Sequence, residues 1–518
     1  MTTRFNLIDE PFLPVVVDCH ASLLGIRAAL TQAHEITELR DESPLVTAAL
    51  TRFLLVILHR SLKGPEDEHH WKRLWTAGKF PEAEIDTYLE QFRERFNLFH
   101  ATRPFLQSAP KADSELSGAD RLVIERSQTH CNKHFSHTDP DSRPLMPPDE
   151  AARQLIAHQA FAPQGGSGYQ SAWTANCAVL MLRGGTLFET LCLNLMPYPD
   201  STIFPDIGKD QPAWERDALL EEDAEIPGGY TDYMTWSFRR IWLCASPEGQ
   251  VTGAHYAKGR RMNLDESDVR IDPMVAYRRN TKDTSKPDRP VGFVPEKALW
   301  RDLGVLLTFA DAGMRAASVL RNLKSLVTWG HLPRSTPVSL SAYGYYAEPA
   351  AKLQFWRGET LPLPLRYLDD ETSVGLLKCA LSLAEQVGTT ALYQASKIAA
   401  EIMLGSDPDA KPKPKTDAKR LAKLIAALSP ERRYWADLER PFRDSIVGFA
   451  SGVVTLERWF FEFVKPVAWR AFGDTFGRLD GARELKAVTY GLAKLNVELT
   501  RIQSVSRIAN TVPEGSSK

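Results

Sequence analysis

Apolar positions follow two regimes along the 518 residues of this chain. Up to about residue 364, short helical stripes are interspersed with strand-like alternation; beyond it the pattern is almost wholly helical. From Pro44 to Leu62 the residues Leu45, Ala49, Leu50, Phe53, Leu54, Ile57 and Leu58 recur at helical spacing and predict a buried helix. A second stripe, Ile85, Tyr88, Leu89, Phe92 and Phe96, predicts a helix over 82–96, with Pro81 suited to its start. Asp149 stands where it could cap a further helix running to about His158. Strand patterns occur at 5–16, where two prolines suit an edge or a hairpin, and at 183–195 (Phe188, Leu191, Leu193). Another covers 231–245 (Met234, Trp236, Phe238, Ile241, Leu243). Residues 335–357 alternate as a hairpin with its turn near Ala347-Glu348-Pro349.

After Pro364 the stripes predict helices at about 371–404, 415–428, 430–466 and 474–508, enough for a four-helix bundle. The expected architecture is therefore α+β: a large mixed body over 1–364 and a helical bundle over 365–518, with the boundary near 360–370. A polar, irregular stretch at 108–148 interrupts the body; loops of that length are usually functional or disordered.

Charge refines this picture more than composition does. The chain is 43% hydrophobic with a formal net charge of −2, which excludes an indiscriminate polycation. The C-terminal part from Leu365 carries +4 and the remainder −6, so basic character is local. Residues 253–290 carry nine Lys and Arg among six acidic residues. A second basic cluster, Lys411, Lys413 and Lys415 followed by Lys419, Arg420 and Lys423, marks a helix connection; it is either a solvated face or a contact to a phosphate backbone. Six scattered cysteines without a C-x-x-C pair suit free thiols in a reducing compartment. With no apolar leader at the N-terminus and no run of ~18 apolar residues, a cytoplasmic, non-membrane protein is expected.

Two segments offer chemistry. Pro163-Gln164-Gly165-Gly166-Ser167-Gly168-Tyr169 and Leu182-Arg183-Gly184-Gly185-Thr186 are glycine-rich, and a main chain without Cβ atoms can approach phosphates or a nucleic-acid groove closely. Neither carries the lysine of a nucleotide-binding P-loop, and each also reads as a simple turn. His130, Cys131, His134 and His137 could ligate a metal, but no second ligand pair accompanies them, and neither a metal nor a cofactor is expected. No nucleophile elbow, H-E-x-x-H or carboxylate cluster appears, so an enzyme is not expected.

The order and spacing of several segments resemble the large subunit of the type I-E CRISPR surveillance complex Cascade, the CasA family. These segments are Phe5-Asn-Leu-Ile-Asp-Glu-Pro-Phe-Leu-Pro-Val15, Leu39-Arg40-Asp41, Phe99-His100-Ala101-Thr102-Arg103-Pro104-Phe105-Leu106-Gln107, and the two glycine segments. The resemblance spans nearly the whole chain. It implies a non-catalytic subunit that partners other Cascade subunits and the guide CRISPR RNA. Such a subunit reads a short protospacer-adjacent motif in target double-stranded DNA, starts its unwinding, and helps recruit a helicase-nuclease that cleaves in trans. By the same resemblance, Gly165, Gly166 and Gly168 form a minor-groove loop, and Lys258, with Arg260 and Arg261 as alternatives, is the basic hairpin residue. Glu348, where the family usually has glutamine, falls at the strand-separating wedge. Lys133 and Phe135 fall in a loop facing the guide or incoming duplex, and Lys411, Lys413 and Lys415 near the displaced strand. Two other readings stand beside it: an assembly scaffold that does not read DNA, and a metal-dependent hydrolase built on the His130 to His137 loop.

Overall fold

In a computed structural model of the chain, the structure describes residues 4–111, 114–126, 145–163, 168–172, 174–197, 207–216, 224–262, 272–280, 288–295, 297–309, 313–348, 352–406, 417–477 and 481–509. The fold is α+β, with two compact units: Met1–Leu299 with Thr308–Leu361, and Trp300–Leu307 with Pro362–Lys518.

The first unit is organised around the helix Pro44–Ser61. Ser43 caps it, its side chain accepting from the Val46 N–H, and Pro44 supplies a first helical residue that needs no N–H partner. Sixteen of its 18 residues are buried, so a helix long and apolar enough to cross a membrane is here a core helix. Its one buried guanidinium explains the tolerance: Arg52 binds Asp272 in a fork (3.1 and 2.9 Å), and Asp272 also accepts from Tyr233 Oη (3.0 Å) and the Met274 N–H (2.8 Å).

Small sheets surround this core. Leu13–Val17 pairs antiparallel with His20–Leu24 and with Glu38–Leu39. Ser339–Glu348 lies between Val179–Arg183 and Lys352–Pro362, and Val251–Lys258 lies between Glu115–Ser117 and Arg239–Ala245. The two-residue strands Ala224–Glu225 and Arg261–Met262 pair in parallel.

Several elements differ from the periodicity reading. Residues 187–194 form a helix, not a strand. Thr186 accepts from the Glu189 N–H at 3.1 Å while Glu189 reaches back to the Gly185 N–H at 2.5 Å, a reciprocal cap that starts the helix. Gly184 and Gly185 belong to that turn rather than to an open backbone surface, since a Cβ on Gly184 would lie 2.3 Å from Glu189 Cβ. Residues 230–234 are likewise helical, with the strand beginning at Arg239. The 82–96 stripe is an α-helix to Gln91 followed by a 3₁₀ turn, Arg93–Phe96. Asp149 lies inside the first turn of the helix Pro148–Phe161, where it binds Arg153 at 2.9 Å, and Pro147 takes the cap position.

The second unit is the helical bundle. Its long members are residues 371–403, 430–451, 456–476 and 482–509, with the shorter Ala418–Leu428 beside them. Two of the long helices contain a π turn, at Val387–Ala391 and Phe460–Val464. At the first, Gly388 admits the indole of Trp435, which a Cβ would meet at 2.5 Å. Buried donors tie the helices together: Tyr434 Oη to the Ala384 carbonyl (3.0 Å), Trp459 Nε1 to the Ala380 carbonyl (3.1 Å) and Tyr367 Oη to the Ile446 carbonyl (2.6 Å). The expected continuous 430–466 helix breaks at Gly452, whose φ of 75° ends one helix before Thr455 caps the next. Within this unit the Trp300 ring stacks on Phe442 at 4.6 Å, and Arg301 lies over Trp435 at 3.6 Å while gripping Glu385.

Candidate nucleic-acid interface

The strand Val251–Lys258 ends in Lys258, the residue expected to be the basic hairpin residue. Ala254, Tyr256 and Ala257 are buried along this strand, and Lys258, on the same parity as Tyr256, is exposed because the strand ends there. There the chain must turn against its neighbour: a Cβ on Gly259 would lie 2.2 Å from the Ser237 carbonyl oxygen, so only glycine allows the close approach.

Gly168 meets Lys258 directly. Its φ is +86°, and a Cβ placed there would fall 2.5 Å from Lys258 Nζ and 2.7 Å from Cε. The ammonium therefore lies across the bare α-carbon that ends the glycine-rich segment. Gly165 and Gly166 lie outside the described residues.

Both flanks of that segment are held by one side chain, Arg239, which is 1% exposed. Its guanidinium donates to the Pro163 carbonyl, to the Gln170 carbonyl at 2.5 Å and to the Phe238 carbonyl at 2.9 Å, and its Nε donates to Tyr256 Oη at 2.9 Å. Tyr169 supplies an aromatic face 5.2 Å from the cation, and Tyr169 in turn stacks on Tyr256. The Arg239 backbone is fixed as well, exchanging two hydrogen bonds with the Gln159 amide. Gln170 repeats the device on Met262, donating to its carbonyl at 3.0 Å and accepting its N–H at 2.8 Å.

Tyr256 passes the network to His158. Burial, aided by the charges of Arg239 and Arg121, lowers the imidazole pKa to about 3, so the ring is neutral. With Nδ1 3.0 Å from the Leu122 carbonyl, Nδ1 carries the proton and Nε2 accepts from Tyr256 Oη. Burial likewise raises the Tyr256 pKa, keeping the phenol protonated as the donor that this order requires.

The other expected site residues divide as follows. Arg261 is exposed on the strand Arg261–Met262. Arg260 is a correction: it is 5% exposed and turned inward, binding Asp232 at 2.9 Å and Glu225, with its guanidinium 3.6 Å from the Trp236 ring centroid. Alternation along the turn sends 260 to the opposite face from 261. Glu348 is exposed at the end of Ser339–Glu348, on a different sheet from Lys258; next to it the Ala347 N–H donates to Asn176 Oδ1 at 2.6 Å. Pro349 lies outside the described residues, as do Lys133, Phe135, His130, Cys131, His134, His137, Lys411, Lys413 and Lys415. Lys419, Arg420 and Lys423 are exposed on Ala418–Leu428. Among the described residues no group of three or more His, Cys, Asp or Glu side chains is placed to hold a metal ion.

Arg239, Gln170 and His158 were not anticipated. A signal for the first was present, because Arg239 shares strand parity with buried Ile241 and Leu243 and so points a cation at the apolar face.

Residues 6–464 match the family model of the CRISPR-associated protein Cse1. The CRISPR-associated protein CasA/Cse1 of Thermus thermophilus is 33% identical over 510 residues, covering 94% of this chain and 96% of that one. The crystal structure of Cse1 from Acidimicrobium ferrooxidans superposes with a TM-score of 0.81 at 25% identity, over 97% of this chain and 99% of that one. A chain of a CRISPR RNA-guided surveillance complex shares the fold, with a TM-score of 0.76 at 22% identity over 95% and 99% of the two chains. A mixed body followed by a helical bundle, matched over nearly its full length, thus defines a large CRISPR-associated subunit. The chain belongs to the Cse1 family, whose members are also called CasA.

Proposed function

We propose that this chain is the non-catalytic large subunit of an RNA-guided Cascade complex, and that it reads the protospacer-adjacent motif of target duplex DNA. The observation that carries the reading is the contact between Gly168 and Lys258. It brings a backbone able to enter a narrow groove and a cation able to reach its floor to one place, held from behind by Arg239. Family membership and a fold shared with a chain of a surveillance complex support the assembly with guide RNA and other subunits. Gly165 and Gly166 extend the loop, Arg261 flanks it, and Glu348 stands at the hairpin end where a wedge would part the strands by bulk. Lys133 and Phe135 face the guide or incoming duplex, and Lys411, Lys413 and Lys415, continued by exposed Lys419, Arg420 and Lys423, contact the displaced strand. Groove contacts stabilise a locally opened duplex, guide pairing captures it, and a helicase-nuclease recruited in trans cleaves it.

The test is binding of the reconstituted complex, with and without this chain, to duplexes that differ only in the flanking motif. Motif-dependent binding that vanishes without the chain is the expected result. Binding indifferent to the chain leaves the scaffold reading instead. In the same assay Lys258→Ala is expected to weaken motif duplexes more than non-motif ones, since equal loss on both marks a plain phosphate contact.

A further inference from the structure

The strands Ser339–Glu348 and Lys352–Pro362 carry aromatic side chains on both faces of their hairpin, toward the end where Glu348 stands. Lys352–Pro362 is an outer strand of its sheet, and successive side chains along it point to opposite faces. Phe355 is therefore half-buried on one face, while Trp356 is 45% exposed on the other.

On the first face a ladder of planes rises from the core toward the hairpin end. Its lowest member is Phe293, 4% exposed. The Arg357 guanidinium lies 5.7 Å from the Phe293 ring centroid and 4.8 Å from that of Phe355, and it is held there by donating to Glu359 at 3.0 Å and to the Lys297 carbonyl at 3.3 Å. Phe355 in turn stacks on Tyr346, with centroids 5.7 Å apart and planes inclined by 20°. Tyr346 is half-buried, and the strand beneath it is anchored: the Ala347 N–H donates to Asn176 Oδ1 at 2.6 Å, and a Cβ on Gly344 would fall 2.1 Å from the Cys177 carbonyl oxygen. Rings placed in advance lose little freedom when one more plane is added.

We propose, on the reading of this hairpin end as the strand-separating wedge, that Tyr346 and Trp356 are base-stacking residues that hold the parted strands of target DNA, one on each face of the hairpin. Opening the first base pairs beyond the motif costs their stacking, and bulk alone returns none of it. Aromatic rings replace that stacking without regard to sequence, because every base has a π face. A base laid on Tyr346 becomes the next plane of the ladder, and Trp356 presents an indole to the strand diverted to the opposite face.

Opening is measured in the reconstituted complex with a fluorophore and a quencher on opposite strands just beyond the motif, in duplexes whose match to the guide is limited to the first few pairs so that opening stays reversible. Trp356→Ala and Tyr346→Ala are each expected to lower the equilibrium constant for opening about ten-fold, while Trp356→Phe and Tyr346→Phe retain most of it and leucine at either position does not. Abasic residues at the first two positions, placed in one strand and then in the other, are expected to erase the deficit of one alanine variant each, since no base remains to be stacked. Thermal melting of each variant guards against loss of fold. No opening with the parent chain removes the wedge reading and the stacking role with it. Opening by the parent that both alanine variants match within about two-fold, leucine variants equal to the parent, or a deficit that survives in both abasic duplexes overturns the stacking role alone.

Discussion

Replacing Arg239 by leucine separates stability from loop placement more sharply than any other single change in this chain. The guanidinium is buried, and its donors go to three carbonyls and to Tyr256 Oη, with no carboxylate at hydrogen-bonding distance among the described residues. Leucine strands the Pro163 and Gln170 carbonyls, at about 1–3 kcal/mol each. Removal of a desolvated charge offsets part of that loss, and the freed segment can turn its carbonyls toward water, so a net loss of about 2–4 kcal/mol is expected. Urea unfolding with a two-state fit to the first transition measures it. The functional consequence runs ahead of the thermodynamic one, because both ends of the 163–170 segment are released together. Motif-dependent duplex binding should fall at temperatures where the chain is still folded, and limited proteolysis should cut first within 163–170. If Arg239→Leu unfolds within about 0.5 kcal/mol of the parent and binds motif duplexes equally well, the clamp has no role and the reasoning fails.

Three further outcomes are expected. Gly168→Ala, at φ +86°, should cost about 1–2 kcal/mol in denaturant unfolding and push the Lys258 side chain aside, lowering motif-duplex affinity while the complex still assembles in size-exclusion chromatography. His158 and His59 are both depressed by burial to about 3, so the unfolded chain binds more protons than the native one between that pH and about 6.5. Stability should accordingly be complete above pH 6.5 and fall on acidification by about 1.4 kcal/mol per pH unit for each ring; His158→Gln should flatten the slope by about one proton, and an unchanged slope would rule His158 out as a source. Asp272→Ala leaves Arg52 charged and buried without its partner and should cost about 3–5 kcal/mol by thermal or urea unfolding, whereas a loss below about 1 kcal/mol would mean the core admits water there.

The periodicity of the chain carried the helix at 44–61, the hairpin spanning Ser339 to Pro362 and most of the bundle, because in each case one apolar face is long enough to reveal its period. It failed at 187–194, where Leu187, Phe188, Leu191, Cys192 and Leu193 are all buried and a helix covered on most sides has no polar face to mark the turn. The Thr186 to Glu189 cap was the better signal there, since it depends on spacing rather than on solvent. At the candidate site, the family resemblance singled out Gly168 and Lys258, which the structure brings into contact, while Arg239, Gln170 and His158 act through main-chain carbonyls and amides from other segments. Such partners leave no local pattern. Arg260 shows the converse: a basic run reads as one face, but the turn that holds it sends Arg260 inward and leaves Lys258 and Arg261 exposed.

The short stretch Trp300–Leu307 places an aromatic ring and an ion-paired arginine in the helical unit, although about fifty residues of the other unit lie between it and the rest of that unit in sequence. Gene-level shuffling of the bundle as a single cassette is thereby discouraged: a cut near residue 362 would deliver helices lacking the indole that stacks on Phe442. During synthesis, too, Trp300 leaves the ribosome well before Phe442 exists, so its ring waits without its stacking partner for some 140 residues of further elongation, roughly 7–28 s at ~5–20 residues per second. Lineages of this fold are therefore expected to inherit both portions together, and grafts that move only the terminal helices should yield chains prone to aggregate unless the 300–307 octapeptide travels with them.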